Sequence, residues 1–145
     1  MSNQRVTAEQ RRAVIARAKQ CCEYCYSQVR FATESFSVEH ITPRIKAGET
    51  ELDNLALSCQ GCNNFKYTKT EGLDPATEQV VSLFNPRRQS WQDHFAWNDD
   101  YTLIIGLTPT GRATVRELKL NRDGLLNLRR VLFAMGEHPP LDSLP

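Results

Sequence analysis

The sequence predicts an α+β fold stapled by a metal, and three observations carry that expectation. Two cysteine pairs, Cys22-Glu23-Tyr24-Cys25 and Cys59-Gln60-Gly61-Cys62, have the C-x2-C spacing with which two thiolates grip one metal from a single turn. Two short stretches alternate as strands do: Phe36 and Val38 against Ser35, Ser37 and Glu39, which reads as a half-buried strand, then Leu55 and Leu57 against Ala56 and Ser58. Helical periods flank them at both ends of the chain.

In chain order, Thr7-Ala8-Glu9-Gln10 reads as a capping box opening a helix over residues 8–20, with Val14, Ile15 and Ala18 as its core stripe and Arg11, Arg12 and Lys19 mostly solvated. The first strand ends at His40. Residues 43–53, with Pro43, Gly48 and several charges, form a surface loop. The second strand runs into Cys59, and residues 62–69 suit a short helix. Beyond Asp74-Pro75 the pattern is weaker: residues 79–84 fit a strand or a helical turn, and Asn85-Pro86 stops them. Trp91, Phe95 and Trp97 suggest an aromatic cluster on a short helical segment. Residues 101–107 and 111–118 flank Thr108-Pro109-Thr110-Gly111, which predicts a hairpin. Leu125, Leu128, Leu132 and Met135 mark a final amphipathic helix closed by Gly136, with Met135 as core filler.

Bulk properties bound the possibilities. The chain has 145 residues, 40% of them hydrophobic, which suffices for one modest core that a metal staple would strengthen. No stretch approaches the roughly 20 apolar residues of a membrane span, so no membrane partner is expected. Residues 1–7 show no apolar run behind a basic start, so no secretory signal is expected. Five cysteines without such a signal point to the reducing cytoplasm, where paired cysteines hold metal rather than disulfides. Cys21 is left over and reads as a small buried hydrophobe. Net charge is only +1, yet residues 1–30 balance at +4, residues 111–145 at +2 and residues 71–110 at −4. The two ends are thus candidates for a basic face.

Inside the bracketed segment stand groups that a structural zinc does not need. Glu39 and His40 end the first strand. Asn54 precedes the second and can reach back; Asn63 follows the last cysteine and can face the same cleft. Adjacent strand residues point to opposite faces, so Glu39 and His40 serve one centre only if the strand terminates there. A carboxylate and an amide oxygen are hard ligands suited to a magnesium-like ion, distinct from the four-sulfur site. A histidine, which ordinarily titrates near pH ~6.5, is a natural general base at neutral pH. His94 and His138 lack such company and read as structural residues, as Trp91 and Trp97 read as core.

These residues carry a resemblance. Cys22-x2-Cys25, then Val38-Glu39-His40-Ile41-x-Pro43, then Asn54-Leu55-x-Leu57-x-Cys59-x2-Cys62-Asn63-x2-Lys66, resembles the HNH endonuclease motif with its ββα-metal core, over about residues 20–70. The rest of the chain is similar in outline to stand-alone bacterial HNH proteins with an extension such as Leu83-Phe84-Asn85-Pro86-Arg87. The resemblance implies residues 1–72 as nuclease core with an N-terminal helix, and residues 73–145 as a hairpin-plus-helix extension packed on it within one compact domain. It implies His40 as the base that deprotonates water, Asn54 as the residue that braces the loop and orients that base, and Glu39 with Asn63 as ligands of a catalytic divalent ion, magnesium, manganese or nickel. Asn63 departs from the histidine often found at its position. Cys22, Cys25, Cys59 and Cys62 would hold structural zinc, and Arg44, Lys46, Lys66 and Lys69 would contact phosphates of DNA, expected to be double-stranded. Two other readings stand beside this one: a non-catalytic zinc-knuckle module that binds nucleic acid, and a degenerate nuclease fold kept as a partner subunit.

Overall fold

A computed structural model describes residues 5–145. The expectation about a secretory signal falls partly on residues 1–4, outside that range. The chain opens with helix α1 (Ala8–Arg17), and the capping box forms as the sequence predicts: Thr7 Oγ1 accepts from Gln10 N and Gln10 Oε1 accepts from Thr7 N, both at 3.0 Å. The helix is shorter than expected because Lys19 and Gln20 take left-handed backbone angles, φ 53° and 60°, and swing the chain into Cys21. Arg12 stands exposed as expected, whereas two other arginines of the helix reach backbone carbonyls. Arg11 donates to Phe36 O at 2.9 Å, and Arg17 donates to Leu52 O and Leu55 O, clamping α1 to the segments on either side of the surface loop.

Strands β1 (Ser37–His40) and β2 (Leu55–Ser58) pair antiparallel, with Glu39 opposite Ala56 and His40 opposite Leu55. Helix α2 (Gln60–Lys66) begins inside the second cysteine pair and stops earlier than the sequence suggests, where Tyr67 adopts φ 50°. β1, β2 and α2 make a ββα unit.

A second hairpin joins β3 (Glu71–Leu73) to β4 (Val80–Ser82), which resolves residues 79–84 as strand. Buried Asp74 shapes its turn by accepting from Ala76 N and Thr77 Oγ1, and the Arg112 guanidinium grips both its oxygens at 2.9 and 3.0 Å. Helix α3 (Trp91–His94) leads into β5 (Phe95–Trp97), which pairs with β6 (Ile104–Gly106). The extension therefore contains a hairpin, but not between the predicted segments. Residues 111–118 lie in helix α4 (Pro109–Glu117) and its C-cap. Thr108 caps its start, accepting from Gly111 N at 3.0 Å, and Pro109 occupies the first turn, where its missing N–H costs nothing. Helix α5 (Asp123–Ala134) ends at Gly136, whose φ of 75° suits a residue without a side chain. Met135 is 63% exposed, so it does not fill the core as expected.

One hydrophobic cluster runs through the α+β fold. Val14, Tyr24, Leu55 and Leu57 contribute from one half, and Phe84, Trp91, Phe95, Ile104, Leu118 and Leu120 from the other. Phe84 meets Phe95 edge-on at 5.2 Å, and Trp91 packs on Phe95 and Trp97. Cations of the N-terminal stretch are partly spent on acids of the C-terminal stretch: Lys19 pairs with Asp142 and Arg30 with Glu137. Among the described residues no helix is long and apolar enough to cross a membrane.

Candidate active site and metal centre

The turn after α1 and the start of α2 bring four sulfurs together. The Sγ atoms of Cys22, Cys25, Cys59 and Cys62 are buried and lie within 4.8 Å of one another, with Cys25 and Cys59 at 3.6 Å. Tetrahedral zinc with Zn–S bonds of about 2.3 Å spaces its sulfurs by about 3.8 Å, so the four side chains fit such an ion as they stand. Glu23, between the first two ligands, accepts from Leu57 N at 2.8 Å and ion-pairs with Arg87, fastening this turn to β2 and to the segment after β4. Cys21 stays outside the cluster, 6% exposed, its thiol pushed by burial up to about 11.

A contribution the sequence did not announce comes from beyond α4. Arg122 directs Nη1 toward Cys62 Sγ at 3.7 Å and Nη2 toward Cys59 Sγ at 3.5 Å. Four thiolates around a dication keep a surplus of negative charge, and a guanidinium beside two of them offsets part of it. Nothing in the local sequence around residue 122 distinguishes this arginine from a surface one.

His40 closes β1, partly buried, with Nε2 at 2.9 Å from Thr50 Oγ1. Burial first, and the Arg44 guanidinium second, hold its pKa below the ordinary histidine value. The loop that carries Thr50 is folded by Asn54, whose Oδ1 accepts from Thr42 N at 2.9 Å and whose Nδ2 donates to Thr42 O and Glu49 O at 3.0 and 2.8 Å. Gly48 belongs to the same device: a Cβ there would lie 1.7 Å from Thr42 O. Asn54 thus braces the loop, while the hydrogen-bond partner of the imidazole is Thr50 rather than Asn54 itself.

Glu39 points to the other side of β1. It is 7% exposed, accepts from the Tyr24 hydroxyl through Oε1, and has the Lys66 ammonium 3.4 Å from Oε2. Lys66 is 1% exposed and donates to Ile41 O at 2.9 Å. Burial pushes the Glu39 carboxyl up, against the pull of Lys66 and Tyr24. Lys66 is therefore a buried counter-ion, not the phosphate contact expected of it. Asn63 lies half-buried on α2, and its side chain makes no hydrogen bond to another described residue. Glu39 is already neutralised by Lys66, and Asn63 brings no charge. These residues, as arranged, do not fit the divalent ion expected of them. Of the other expected phosphate contacts, Arg44 and Lys46 stand exposed on a short turn of the loop, whereas Lys69 bonds to Phe65 O and pairs with Glu117 at 3.4 Å. His94 and His138 are structural: His94 Nδ1 is 2.6 Å from Thr108 Oγ1, and His138 Nε2 is 2.8 Å from Tyr101 O.

A ββα unit on a four-cysteine centre, with a histidine at its strand end and an asparagine-braced loop, defines a class. Residues 22–69 match the family model described as HNH endonuclease, 48 of the 145 residues. The resemblance carried by the cysteine pairs and Glu39-His40 holds over that stretch. Comparison with curated proteins and with solved structures gave no match.

Proposed function

We propose that the protein is an endonuclease that hydrolyses phosphodiester bonds of DNA, and the observation that carries this reading is the placement of His40. Within the HNH-matching stretch it is the last residue of the strand, held by Thr50 on a braced loop, with burial and then Arg44 lowering its pKa below the ordinary histidine value. With Nε2–H donating to Thr50, the other ring nitrogen keeps a lone pair for the proton of an attacking water. The water oxygen bonds to phosphorus and the 3′ oxygen departs, leaving a 5′-phosphate and a 3′-hydroxyl. Arg44 and Lys46, exposed on the same loop, are placed to meet flanking phosphates.

The four-cysteine centre would hold structural zinc and supply rigidity. The divalent ion that the resemblance implies, with Glu39 and Asn63 as ligands, finds its carboxylate committed to Lys66. Residues 1–72 are proposed as the nuclease core and 73–145 as its extension, in a reducing cytoplasm that keeps the thiolates free.

Plasmid cleavage across a panel of magnesium, manganese and nickel tests the proposal. The expected result is nicking or linearisation by the wild type, lost in His40→Ala while zinc content and the thermal melt persist. Equal cleavage by folded His40→Ala would refute the assignment of the base. The Glu39–Lys66 pair favours one alternative, a non-catalytic zinc-knuckle module; that reading gains if no metal supports cleavage while DNA binding remains.

A further inference from the structure

A cavity of about 320 Å³ opens beside the backbone that leaves His40. Ile41, Leu83 and Phe84 form its apolar wall, and its polar groups come from Thr42, Thr70, Ser82 and the turn over residues 85–89. What these groups have left to offer is decided by their existing bonds. The Asn85 side-chain oxygen accepts from Arg87 N at 2.9 Å, and the Gln89 side-chain oxygen accepts from Asn85 N at 2.9 Å. Both amides therefore retain their NH2 donors. Arg88 is exposed, and its guanidinium has no partner among the described residues. Lys66, at the inner wall, is already spent on Ile41 O and Glu39.

Among the described residues no carboxylate lines this cavity. Two others of comparable size do contain acids, Glu23 and Asp142 in one and Asp99 in the other. A pocket whose free groups are two amide donors, three hydroxyls and one guanidinium matches a ligand rich in acceptor oxygens and negative charge. It begins one residue past the proposed base. We infer that it receives the sugar-phosphate of a nucleotide flanking the scissile bond, with Arg88 paired to the phosphate and Asn85 and Gln89 donating to its oxygens. The turn over residues 85–89 is then a substrate-binding element that the extension adds to the nuclease core. The inference rests on the nuclease reading for its ligand, and its test reads binding rather than cleavage.

The probe is a short fluorescein-labelled DNA duplex, followed by anisotropy over a salt titration in the His40→Ala background. Arg88→Gln is expected to weaken binding several-fold and to reduce the salt slope by about 1, as loss of one phosphate contact does. Ser82→Phe, which fills the cavity without changing charge, should weaken binding with the slope retained. Arg130→Gln, removing an exposed cation on α5, should change neither. Parent affinity and slope in Arg88→Gln, or parent affinity in a folded Ser82→Phe, overturns the inference. If the wild type cleaves with none of the metals but Arg88→Gln still weakens binding, the nuclease reading falls and the pocket stands. Cleavage together with unaltered Arg88→Gln binding removes the pocket alone.

Discussion

At the scale of single residues, His40 and Glu39 show how one strand end divides two roles. His40 faces the braced loop, where burial and Arg44 lower its pKa. A base with a depressed pKa stays unprotonated further into acid. The acid limb of the cleavage rate should therefore fall below the ordinary histidine value of about 6.5, and Arg44→Gln should move that limb upward. A pH–rate profile of the two proteins checks this. The same shift means that stability linked to His40 is complete above the unfolded value and is lost as pH falls through the folded one. Glu39 faces inward to Lys66, and breaking that pair is expected to be costly: Lys66→Met should lose about 3–5 kcal/mol in denaturant unfolding at alkaline pH. The loss should shrink in acid, where the unpaired carboxyl takes up a proton. The residue types of this site were legible because their spacing is distinctive. Their partners were not, since Tyr24, Thr50 and Lys66 become partners through strand faces and loop closure, which linear spacing does not encode.

Among the elements, α4 is the instructive difference. Thr108-Pro109-Thr110-Gly111 satisfies the statistics of a turn and equally the start of a helix, because a threonine cap followed by proline is a helix-opening pair. What decides is tertiary: Gly111 lies so close that a Cβ would sit 2.1 Å from His94 O, and Ala113 and Thr114 are buried. Local signals with one physical solution, such as the capping box of α1 and the paired strands at the cysteines, were readable directly. Thr108 also meets His94 at 2.6 Å, so its hydroxyl serves a cap and a side chain together. Thr108→Ala should cost about 1–2 kcal/mol by urea unfolding, and a change within error would show the cap to be dispensable.

For the whole molecule, the continuity of the core matters most. The hydrophobic cluster joins Val14 and Leu57 to Phe95 and Leu120, and the sulfur cluster sits within it. Metal loss should therefore not unravel a local knuckle alone. Removing zinc with a chelator, or replacing Cys59 by Ser, is expected to lower the melting temperature of a single transition seen both in near-ultraviolet tryptophan signals and in far-ultraviolet helix signals. Two separate transitions would show halves that unfold independently.

The arginine that reaches the sulfurs has a consequence for the order in which the protein matures. Arg122 lies 60 residues after Cys62, so a chain made from its N-terminus has all four ligands in hand well before that guanidinium exists. Metal capture can come first, but the surplus negative charge of four thiolates around a dication is partly offset only once the C-terminal half has docked. By reciprocity, whatever that docking adds to metal affinity the metal returns to docking. With a metal in the four-cysteine site, the two events would be coupled steps of one assembly, and the segment joining α4 to α5 would be part of how that metal is kept.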